Sequence, residues 1–113
     1  MSENETKQER IEAEPDVLNI RYFAERMLKG VFENDIEFQQ QTLFELAKLA
    51  SVHNALYPVR VYGRIVDLWN LGTWELRNKE VSDDAARQTV FQVIGEIFGK
   101  YGLNGGYYEE DEP

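Results

Sequence analysis

No cysteine occurs among the 113 residues, which excludes a disulfide, a thiolate nucleophile and any Cys-based metal site. Histidine occurs once, at His53. A nucleophilic or acid–base site needs a base oriented by a second group, and a zinc site needs three or four ligands, so a solitary histidine supports neither. A Gly-rich phosphate loop and an HExxH pair are missing as well. The expectation is therefore a non-enzymatic protein with no catalytic residues, no cofactor and no metal. No apolar run approaches the roughly 18 residues a membrane span requires, and the start MSENETKQER lacks the basic and apolar regions of a secretory signal. The chain is expected to be soluble, without membrane contact, and cytoplasmic in its own or a host cell.

Basic charge is also scarce. Twelve Lys and Arg face 21 Asp and Glu, for a net charge of −9. The excess is concentrated at the ends: residues 1–16 carry −4, residues 107–113 carry −4, and residues 17–106 only −1. Like charges at chain ends stay solvated and resist packing. The expected organisation is a disordered acidic arm over 1–14, a single helical domain over 15–103 and a flexible acidic tail over 104–113. A near-neutral body disfavours nucleic acid, because neutralising phosphates needs a surplus of Lys and Arg on one surface.

What the body does contain is helical periodicity. From Pro15, which suits a first helical position, Val17, Ile20, Phe23, Ala24, Met27, Leu28 and Val31 recur at helical spacing and predict a helix over 15–33. Its outer face carries Arg21, Glu25, Lys29 and Glu33, four apart with alternating sign. Asn34 with Glu37 resembles a reciprocal N-cap opening a second helix over 35–54. The later half of that helix is apolar almost all round, and Gln39, Gln40 and Gln41 read as a solvated face. Ser82, Asp83 and Asp84 form an N-terminal signal for a last helix over 82–101, with Val90, Val93, Ile94, Ile97, Phe98 and Tyr101 inward and Gly102 suited to a left-handed stop.

Residues 57–78 read two ways. Val59, Tyr62, Ile65, Val66 and Trp69 mark a helical face over 58–71 that begins at Pro58 and ends near Gly72. The β-branched residues and the alternation of Tyr57, Val59 and Val61 suit a short hairpin instead. The fold expected is all-α, an antiparallel bundle of about four helices, with the hairpin as its alternative.

Arginine and aromatic side chains dominate interface energetics. Residues 57–77 hold Arg60, Arg64, Trp69, Trp74 and Arg77, and the tail adds Tyr107, Tyr108, Glu109 and Glu110. These nine are the expected partner-binding residues, for a protein partner. The function they suggest is an interaction module acting as inhibitor, adaptor or assembly factor. Gly95 and Gly99 form a Gly-x-x-x-Gly on the polar side of the last helix, and close approach of a second copy would compensate their cost to the helix. This makes a homodimer, or a self-associating structural subunit such as a viral one, the alternative reading. A nucleic-acid regulator using Arg60 and Arg64 is a further one.

Overall fold

The computed structural model describes residues 20–103, which form five α-helices; no strand occurs among the described residues. Helix α1 spans Ile20–Phe32 and buries Phe23, Ala24, Met27 and Leu28. It ends because Asn34 takes a left-handed conformation (φ 55°), which turns the Asp35 amide back to donate to the Gly30 carbonyl at 2.8 Å. Asn34 thus closes α1 and is not the cap of the next helix. Asp35 is that cap, its side chain accepting from the Phe38 amide at 3.0 Å. Asparagine tolerates the left-handed region and aspartate does not need it, so adjacent residues divide the stop and the start between them.

Helix α2, Ile36–Asn54, packs against α1 on one side and α3 on the other. It begins close to α1, and Gln39 is half-buried, its amide donating to the Gly30 carbonyl at 3.1 Å. Only Gln40 and Gln41 of the glutamine run face solvent. Thr42, Leu43, Leu46, Ala47, Ala50 and Ser51 are buried, whereas Phe44 and Val52 are not, so the helix is less enclosed than its composition suggests. Ala55 (φ 56°) ends it, with the Leu56 amide donating to the Ser51 carbonyl at 2.9 Å.

Helix α3, Pro58–Gly72, removes the hairpin alternative. Val61, Ile65 and Trp69, four residues apart, form its buried stripe, and that burial outweighs the β-branched preference for strand. Val59, expected on the inward face, is exposed, because the stripe runs through Val61 instead. Thr73 is buried; its hydroxyl donates to the Trp69 carbonyl and accepts from the Arg77 guanidinium. The chain turns there into a five-residue helix, α4 (Trp74–Asn78), that the sequence periodicity does not announce. Helix α5, Asp83–Lys100, opens as expected on Ser82, whose hydroxyl oxygen accepts from the Ala85 amide at 3.0 Å. Gly102 (φ 69°) makes the left-handed stop, with the Leu103 amide donating to the Phe98 carbonyl at 2.8 Å.

Helix α5 closes the core by packing against α1 and α3, with Phe23 and Phe98 tilted 5.9 Å apart at the seam. Across the outside of that seam Arg87 donates to Glu25 at 2.8 Å, which links α5 to α1, while Lys29 and Glu33 pair along α1 as the ladder expects. The hydrogen bond and charge of Arg87 hold the Glu25 carboxyl below its ordinary range. A carboxyl lowered in the folded state stabilises the fold at neutral pH, and that contribution fades as falling pH protonates it. The pair is exposed, so the effect is small.

Candidate interaction surface

The nine expected partner-binding residues divide into four groups. Tyr107, Tyr108, Glu109 and Glu110 lie outside the described residues, as do the arm over 1–14 and the tail over 104–113. Trp69 is 3% exposed and belongs to the core. Arg77 is held by its own segment, donating to the Thr73 hydroxyl at 2.8 Å and to the Asn70 carbonyl at 2.7 Å. Arg60, Arg64 and Trp74 remain at the surface. Arg60, Arg64 and Leu71 follow one outer strip of α3, and Leu71 is 78% exposed. That strip leads to a shallow groove between α3, α4 and α5 lined by Leu71, Trp74, Gln92 and Glu96 among others.

The largest apolar exposure lies elsewhere, where α2 hands over to α3. Val52, Leu56, Tyr57 and Val59 are 81, 48, 77 and 77% exposed within eight residues of chain. Short connections run over the surface because their backbone groups need water or local partners. Here the Ala55 stop and the Pro58 start leave only Ala55, Leu56 and Tyr57 between the helices. Tyr57 precedes α3 without a side-chain cap, and its side chain stands exposed. Beside this corner Phe44 and Tyr62 meet edge to face at 5.4 Å, and the Lys48 ammonium sits 5.4 Å over the Phe44 ring. An open groove of about 390 Å³ runs past them, lined by Glu37, Gln40, Gln41, Phe44, Val59 and Tyr62.

Among the described residues, the chain segments that meet at this pole carry charge of one sign. Residues 46–66 and 97–103 contain no acid, and they bring Lys48, Arg60, Arg64 and Lys100 to the end of the molecule where α2 and α5 finish and α3 starts. The ends of α2 and α5 are tied there by Asn54, whose side-chain amide donates to the Tyr101 carbonyl at 2.9 Å. Arg60 and Arg64 have no ion-pair or hydrogen-bond partner among the described residues. The acid-free run is visible in the sequence and is the signal that would have marked the corner. The exposure of Val52 and Val59 is not, because apolar residues there fit a core equally well.

His53 is exposed near this pole, with its Nε2 beside Gly102. Among the described residues no three His, Cys, Asp or Glu side chains gather at one point. No described helix is long and apolar enough to cross a membrane. Gly95 and Gly99 face open space, where an added Cβ would meet nothing within 4 Å. Comparison with protein-family models, with curated proteins and with solved structures finds no match for this chain.

Proposed function

We propose that this protein is a non-enzymatic interaction module of the cytoplasm, an inhibitor, adaptor or assembly factor, that binds a protein partner through its α2–α3 corner. The helices α1, α2, α3 and α5 serve as an antiparallel four-helix bundle that holds the corner rigid. The observation that carries the reading is the exposure of Val52, Leu56, Tyr57 and Val59 next to Arg60 and Arg64, which have no carboxylate partners among the described residues. Contiguous exposed apolar side chains rimmed by charge mark interaction sites, and aromatic and arginine side chains are the usual anchors. The partner that fits is a protein segment carrying apolar side chains beside carboxylates, since like charge would be repelled at an acid-free pole.

Affinity capture with the full chain tests this. Tyr57→Ser with Val59→Ser is expected to weaken the captured partner's binding by about 30-fold, the effect of losing one anchor worth about 2 kcal/mol. Arg60→Glu with Arg64→Glu should weaken it comparably and reduce its dependence on salt. Binding indifferent to both pairs overturns the reading.

The rival reading, self-association through Gly95 and Gly99, predicts a different response. Both glycines stand in open space on α5, so Gly95→Ala or Gly99→Ala is expected to raise stability by up to about 1 kcal/mol, measured by urea unfolding. A loss of stability that depends on protein concentration would place a second copy on that face.

A further inference from the structure

The chain leaves the described fold at Leu103, which is buried in the core directly after the Gly102 turn. That exit lies at the acid-free pole, because the Tyr101 carbonyl accepts from Asn54 at the end of α2 and Gly102 lies beside His53. Ten residues follow, Asn104 to Pro113. At roughly 3.3 Å per extended residue they reach about 33 Å. Pro58 to Arg64 rises only about 9 Å along α3. The tail is therefore long enough to cross the corner, and Asn104, Gly105 and Gly106 impose little direction on its start.

Its chemistry is that of the partner inferred above. Tyr107 and Tyr108 are followed by Glu109, Glu110, Asp111 and Glu112, two aromatic side chains and then four carboxylates. The corner presents the complement in chain order: the apolar group of Val52, Leu56, Tyr57 and Val59, then Arg60 and Arg64. We infer that residues 104–113 fold back onto the α2–α3 corner of their own chain, the tyrosines on the apolar group and the carboxylates along Arg60 and Arg64, and so compete with the partner for it. Attachment through a few residues supplies an effective concentration on the order of millimolar, so a peptide too weak to bind in trans still occupies the site in cis. The regulatory meaning rests on the partner site proposed above, whereas the contact itself does not.

Amide NMR spectra of the full chain separate the two. Tyr107→Ala with Tyr108→Ala, and separately Glu109, Glu110, Asp111 and Glu112 each to its amide, are expected to shift the resonances of Val52, Val59, Arg60 and Arg64. High salt should move the unsubstituted chain the same way, since exposed ion pairs are screened. The shifts should not vary with protein concentration, and both variants should capture several-fold more partner than the unsubstituted chain. Shifts confined to residues near the substitutions would overturn the inference and leave the corner to another occupant, such as residues 1–19. Shifts that grow with concentration would also overturn it, assigning the contact to the tail of a second copy. Corner shifts accompanied by capture that ignores Tyr57→Ser and Val59→Ser would leave the tail contact standing and reject the partner site.

Discussion

Trp69→Ala is expected to cost about 3–5 kcal/mol, the range for emptying a large aromatic from a core. A natural domain holds about 5–15 kcal/mol in all, and one this small lies toward the lower end, so the variant should be mostly unfolded on warming and melt far below the native protein. The reason is position: Trp69 completes the Val61, Ile65, Trp69 stripe, and its carbonyl accepts the Thr73 hydroxyl that turns the chain into α4. Partner binding would fall with the fold. Trp69→Phe separates the two effects, since it keeps an apolar ring in place and should bind normally with a modest drop in stability. A Trp69→Ala protein that melts within a few degrees of the native one, followed by far-UV circular dichroism, would remove this side chain from the core.

Gly72→Ala is expected to be the most damaging glycine substitution at an ordinary backbone angle. A Cβ there would lie 2.5 Å from Val93 Cγ2, where the end of α3 meets α5. Val93 is buried and branched at Cβ, so it has little room to turn aside. Overpacking of this kind costs about 1–3 kcal/mol. Shortening the obstacle should relieve it: Gly72→Ala in a Val93→Ala background should cost less than in the native background, a coupling on the order of 1 kcal/mol in a urea-unfolding cycle. Strict additivity would mean that the two helices do not touch there.

These contrasts show why parts of the fold were legible in the sequence and others were not. Ser82 and Gly102 bracket α5 because cap chemistry is local: a hydroxyl meets amides three residues on, and a glycine supplies the left-handed turn. The Asn34–Asp35 pair fits either order of stop and start, and only the approach of α2 to Gly30 decides it. Between residues 57 and 72 the alternation of Val59 and Val61 competes with helical spacing, and burial against α2 and α5 settles the matter. Helix α4 is too short to carry a period of its own. It exists because Thr73 accepts Arg77 while donating to Trp69, a use of threonine that spacing does not encode.

The candidate surface was half legible. Arg60, Arg64 and Trp74 are at the surface as their types suggest, and Trp69 is not, because a tryptophan on an apolar stripe is first a core residue. The corner at Val52, Leu56, Tyr57 and Val59 is tertiary in origin. It is created by ending α2 at Ala55 and starting α3 at Pro58, which leaves these side chains uncovered by any of the described helices.

The most direct test of the corner is photo-crosslinking from the full chain, with a photoreactive phenylalanine at position 57 and, in a second sample, at position 88 on the exposed outer side of α5. The account predicts a discrete partner adduct from position 57, lost with Arg60→Glu and Arg64→Glu, and none from position 88. An adduct from position 88 alone would contradict it and move the interface to α5.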